Sequence, residues 1–134
     1  MPAARFSNGI DPTNMTHDSE FAALRRGDKL IDKTVTASWF FAMKAAVHAA
    51  NRDANLVSVP LLALQGSLDL TTDPDALAHW WKRIGSKEKK LIVLEGHFHE
   101  LFFEPDWLST TTQMMDWLDE QVRIRLLEKP TVGS

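Results

Sequence analysis

The chain has no cysteine among its 134 residues, so it can form neither a disulfide framework nor a thiolate metal site. That suits a reducing compartment, and cytoplasm is the expected location. It has no apolar run near the roughly 18 residues that a bilayer-spanning helix needs, and residues 1–8 carry no apolar leader segment. Neither secretion nor a transmembrane anchor is expected. There is no excess of positive charge either: 15 basic and 18 acidic residues are interspersed, for a formal net charge of −3. Nucleic acid and anionic membranes are therefore not expected partners. Repeats and low-complexity tracts are missing, and the length suits one compact domain or part of one. Finally, none of the six glycines belongs to a G-x-S-x-G pattern, the sharp strand-to-helix elbow that presents a nucleophilic serine.

What is present is a pair of strand-like runs with chemistry at their ends. Val59-Pro60-Leu61-Leu62-Ala63-Leu64-Gln65-Gly66 is followed three residues on by Asp69, and Lys90-Leu91-Ile92-Val93-Leu94-Glu95-Gly96 by His99. Continuous apolar runs of this length suit parallel strands covered on both faces. Between them, Asp73 and Pro74 form a helix start, and Leu77, Trp80, Trp81 and Ile84 recur at helical spacing before Gly85-Ser86. Strand, helix, strand is a βαβ unit, which brings both strand ends to one edge of the sheet, where open α/β sheets bind ligands. Asp69 and His99 are thus expected to be neighbours.

Upstream, residues 1–16 are rich in turn formers and read as a loop. A short helix is expected from about residues 16–18 to Gly27. A longer one should run from Asp32 to Ala50 through Val35, Trp39, Phe40, Met43, Ala46 and Val47. After Pro105 an amphipathic helix is expected over about 107–127, then a frayed tail at 130–134. Two parallel strands buried on both faces cannot persist alone in water. Either further polypeptide upstream of Met1 or a partner chain, a second copy included, must cover them.

Asp69 has a bland alternative, since a loop aspartate often only stabilises a turn or caps a helix. Asp73 suits the cap better, which leaves Asp69 free to orient a histidine. Of the two histidines in Glu95-Gly96-His97-Phe98-His99-Glu100-Leu101, His99 has the better spacing, because a catalytic imidazole needs one nitrogen held by a carboxylate and the other free. A metal could instead use His97 and His99 with Glu100 or Glu104, although no further ligand cluster stands out. His17, His48 and His79 read as helix-surface residues. The Trp39-Phe40-Phe41 and Trp80-Trp81 clusters read mainly as core, with one member of each free to border a pocket or interface.

These segments resemble a known family: the α/β-hydrolase fold, and within it the monoacylglycerol lipase and lysophospholipase group, also described as serine aminopeptidase-like. Residues 59–69 resemble its penultimate-strand motif V-P-x-L-x-L-Q-G-x-x-D. Residues 85–91 are similar to the next turn, and Glu95 to Leu101 to the G-x-x-H-E-L segment. Asp28-Lys29-Leu30 and the helix from Thr34 to Phe41 are similar to the stretch joining the family's cap to its core, with Lys29 where proline is usual.

The resemblance implies the C-terminal part of that α/β fold: a cap-to-core segment over 1–58, and strand, helix, strand and terminal helix over 59–134. It implies a carboxylic ester hydrolase for lipid-like substrates, monoacylglycerol or lysophospholipid, with Asp69 as triad acid and His99 as proton shuttle. Met43 and Val47 would border the acyl channel. No cofactor or metal is implied. The nucleophile and the oxyanion hole are not in this chain, so hydrolysis by it alone should be negligible. The alternative is a non-catalytic chain that uses the open sheet for dimerisation or docking.

Overall fold

The computed structural model describes residues 4–128, so the start of the expected leading loop and the whole of the expected tail at 130–134 lie outside the described residues. The first strand, β1 (Arg5–Ser7), pairs antiparallel with β2 (Thr34–Thr36), with Phe6 opposite Val35. Between them lie a short 3-10 turn at Pro12–Asn14 and helix α1 (Ser19–Gly27). Asp18 caps α1 by accepting from the backbone N–H groups of Glu20 and Phe21, both at 2.9 Å.

The β1–β2 pairing corrects two expectations. The leading segment is not all loop, because a three-residue strand finds a partner some 30 positions away that no local pattern announces. The second helix, α2 (Ala37–Arg52), starts five residues later than its apolar spacing implied. Residues 34–36 are β-branched and take the ladder, and the Thr36 hydroxyl then caps α2 through Trp39 N at 3.1 Å. Asp32 closes a turn instead, accepting from the amide and hydroxyl of Thr34. Those bonds, backed by Arg5, hold its carboxyl down at about 2.

Strands β3 (Leu61–Gly66) and β4 (Lys89–Leu94) are parallel, with Leu61 opposite Lys89 and Gly66 opposite Leu94. Pro60 lacks a backbone donor, and the pairing opens with Leu61 N bonding Glu88 O at 2.9 Å. Helix α3 (Pro74–Trp81) crosses between them and is capped by Asp73. It stops before Ile84, contrary to the periodic pattern. The Lys89 ammonium bonds the carbonyls of Trp81 and Ile84, both at 2.9 Å, and satisfies acceptors that a further turn would have used. Helix α4 (Trp107–Glu128) closes the described chain.

The core is small: Met15, Ala22, Ala54, Ile84, Leu94 and Trp117 are its buried apolar residues. Two expectations about burial therefore fail. β3 and β4 are not covered on both faces, since Leu61 to Leu64 are only partly buried and Val93 is 54 % exposed. Trp39, Phe40 and Phe41 are not core either, because α2 has no buried residue at all. The described residues thus cover these apolar faces only in part, with Trp80 reaching α2 by donating Nε1–H to Ala50 O at 3.0 Å.

Candidate active site

The loops that follow β3 and β4 are sewn together by backbone. Ser67 N bonds Leu94 O at 3.0 Å and Leu68 N bonds His97 O at 2.9 Å, while Gly96 N donates to the Ser67 hydroxyl at 2.8 Å. Gly96 has φ +77°, a conformation that costs glycine little, and it turns the chain back toward β3. Gly66 is needed for space: a Cβ there would overlap the carbonyl oxygens of Phe98 and His97.

This stitching places His99 Nδ1 2.9 Å from Asp69 Oδ2. The Asp69 side chain is almost fully buried and that of His99 about one-third exposed. Asp69 Oδ1 accepts from the amides of Thr71 (2.7 Å) and Thr72 (3.0 Å). Its Oδ2 accepts from the Thr72 hydroxyl (2.6 Å), Gln65 Nε2 (3.0 Å) and His99. Burial by itself would raise the Asp69 carboxyl, but the bonds from His99, from the Thr72 hydroxyl and amide, and from the Thr71 amide outweigh it and hold the carboxyl well below the usual carboxylate range. With Asp69 ionised, the neutral imidazole of His99 carries its proton on Nδ1 and its lone pair on Nε2. Among the described residues no hydrogen bond engages Nε2. The pair can therefore accept a proton at Nε2 while the buried carboxylate stabilises the resulting cation.

Sequence reasoning missed the residues that hold Asp69. Gln65 is a buried amide in an otherwise apolar strand, and the pair Thr71-Thr72 after an aspartate is the signature of a side-chain-closed turn. Both signals were legible. His97 goes elsewhere: its Nδ1 bonds Glu95 O at 3.1 Å, and Nε2 lies 2.8 Å from Asp106 Oδ1, close enough for an ion pair but not aligned as a hydrogen bond. The carboxylates considered as metal ligands are engaged as well. Glu100 pairs with Arg25 at 3.1 Å, and Glu104 accepts from His17 and Phe98. Among the described residues no group of three or more His, Asp or Glu is arranged to hold a metal ion.

His48 and His79 sit exposed on α2 and α3, but His17 is not a helix-surface residue. It precedes α1 and, half-exposed, stacks on Phe98, ring centroids 3.9 Å apart, with Nδ1 2.9 Å from Glu104 Oε2. Met43 and Val47 are exposed on α2.

The family described as serine aminopeptidase, S33, matches residues 1–106. The chain belongs to this α/β-hydrolase family. Phospholipase YtpA of Bacillus subtilis is 24 % identical over 106 residues, covering 78 % of this chain and 41 % of its own. An uncharacterised abhydrolase domain-containing protein of Dictyostelium discoideum is 27 % identical over 135 residues, covering 98 % of this chain and 14 % of its own. The crystal structure of Paleococcus ferrophilus monoacylglycerol lipase superposes with TM-score 0.73 at 25 % identity, covering 88 % of this chain and 46 % of that one. A soluble variant of monoglyceride lipase from Saccharomyces cerevisiae gives 0.72 at 21 % identity, covering 89 % and 44 %. The chain thus corresponds to the C-terminal part of the fold and spans less than half the length of these relatives. No described helix is long and apolar enough to cross a membrane.

The Asp69 network has a measurable signature in acid. A carboxyl held low in the fold contributes stability that is present above its unfolded value, about 4, and is lost as pH falls through the folded value. Urea midpoints of the chain and of Asp69→Asn should differ most near pH 7 and converge as pH drops below about 4. A gap that stays constant down to pH 2 would mean that Asp69 does not carry this charge-linked stability.

Proposed function

We propose that the chain supplies the acid and base of a serine hydrolase for carboxylic esters of lipid-like alcohols, monoacylglycerols or lysophospholipids, with the nucleophile on polypeptide outside these 134 residues. The observation that carries this reading is the 2.9 Å bond between His99 Nδ1 and Asp69, on adjacent loops after parallel strands, with Nε2 left free. The serine hydroxyl attacks the ester carbonyl as His99 Nε2 takes its proton. That proton then passes to the leaving alkoxide, and water repeats the sequence to free the acid. Asp69 keeps the Nδ1–H tautomer throughout. The substrate class is supported by the names of the relatives, a phospholipase and monoacylglycerol lipases. Met43 and Val47 are assigned to the acyl side of the completed site, residues 1–58 to the cap-to-core segment and residues 59–134 to the core.

The reading is tested by sequencing the coding DNA upstream of Met1. A strand followed by G-x-S-x-G, in the same or an adjacent frame, is the expected result. Its absence from the locus would overturn the triad for this gene product.

A second reading is favoured by the uncovered α2 and sheet: a non-catalytic chain that dimerises or docks through them. Sedimentation would separate the two, since a stable homodimer that buries Trp39 and Phe41 would leave no face for a nucleophile-bearing half.

A further inference from the structure

A second carboxylate–imidazole pair lies behind the first. The Glu104 side chain is 2 % exposed, and each of its oxygens is used. Oε1 accepts from Phe98 N at 2.7 Å, and Oε2 accepts from His17 N at 3.0 Å and lies 2.9 Å from His17 Nδ1. The His17 ring stacks on Phe98 with its plane tilted by only 13°. On the other side of His99, Glu100 N donates to Met15 O at 2.7 Å. Thr16 closes the strap by donating its hydroxyl to Phe103 O at 2.6 Å.

Both neighbours of His99 in sequence are therefore fixed to one short segment, Met15 to His17, more than 80 residues away. That segment also meets the Asp69 loop, where the Thr71 hydroxyl lies 3.3 Å from Met15 Sδ. His99 itself makes none of these bonds. Its ring is aimed by a backbone clamped at residues 98 and 100 and, through Thr71, in phase with its carboxylate.

We infer that Glu104 and His17 are positioning residues for His99: the buried Glu104 carboxylate locks the histidine loop to the Met15–His17 strap and sets the imidazole against Asp69. A buried carboxylate that loses its partners, or partners that lose their carboxylate, leave unpaired polar groups, so removing the Glu104 carboxylate should loosen the clamp more than removing the His17 contact alone. The inference deepens the reading of His99 as the base, but it predicts geometry that can be read without any turnover.

The test is 15N-resolved NMR of the histidine side chains in the labelled chain. Unsubstituted protein should show His99 as the Nδ1–H tautomer with a downfield, hydrogen-bonded ring proton. Glu104→Ala should lose that proton signal and mix the tautomers while the amide resonances of β3 and β4 keep their positions, and Glu104→Gln should restore part of it. His17→Phe keeps the stack on Phe98 and removes only the Nδ1 contact. It should weaken the signal in the same direction, and it decides the matter if Glu104→Ala does not fold. An unchanged His99 tautomer and ring proton in folded Glu104→Ala, or in His17→Phe, would overturn the inference. Were hydrolysis absent from the assembled enzyme while these shifts were found, the proposed activity would fail and the clamp would stand.

Discussion

In an enzyme assembled with its nucleophile-bearing half, His99→Ala should lower ester turnover by roughly 10⁴- to 10⁶-fold, the range expected when the general base of a serine triad is removed. His97→Ala should stay within about tenfold of the unsubstituted enzyme, a loss of the size expected for a side chain that does not exchange a proton with the reacting groups. The separation follows from geometry: His99 has a buried carboxylate on Nδ1 and a free Nε2, whereas both nitrogens of His97 face Glu95 O and Asp106. Asp69→Asn should fall by about 10⁴, because an amide cannot fix the Nδ1–H tautomer. The falls should appear in kcat more than in KM, since neither side chain is placed to bind the ground-state ester. A severe loss in His97→Ala alone would reassign the base.

The second large effect is expected at a residue with no side chain. Gly66→Ala should abolish the His99–Asp69 contact, because the added methyl would occupy the space of the Phe98 and His97 carbonyl oxygens. These are backbone atoms, which cannot rotate away as a side chain can. The histidine loop must lift from β3, breaking the bond from Leu68 N to His97 O on the way. Either the loop moves and turnover drops by about 10²-fold or more, as a misplaced catalytic group implies, or β3 gives way and stability falls by about 1–3 kcal/mol, the usual cost of overpacking. Urea unfolding and kcat measured together separate these outcomes. Unchanged activity with unchanged stability would mean that the approach of the two loops is looser than described.

How far the sequence carried is clearest at these same positions. The βαβ unit and the Asp69 and His99 loops were legible because periodicity, glycine and proline report on local backbone, and a βαβ crossover aligns strand ends by topology. The β1–β2 ladder was not, because three-residue strands leave no period to detect and pair across a long stretch of chain. Glu104 and His17 were misjudged for a related reason. A carboxylate next to Pro105 looks solvated in its own segment, and only the fold buries it and sets the half-exposed His17 imidazole against it. The exposed α2 is the opposite case: its apolar pattern implies a covered helix, yet it has no buried residue among the described residues.

The most direct measurement is labelling of the assembled enzyme with a fluorophosphonate probe, with the modified residue mapped by mass spectrometry. The expected result is a single labelled serine outside these 134 residues, with labelling lost in His99→Ala and retained in His97→Ala. A label on a serine of this chain, such as Ser67, or labelling indifferent to His99, would contradict the assignment of Asp69 and His99 as the acid and base of a serine hydrolase.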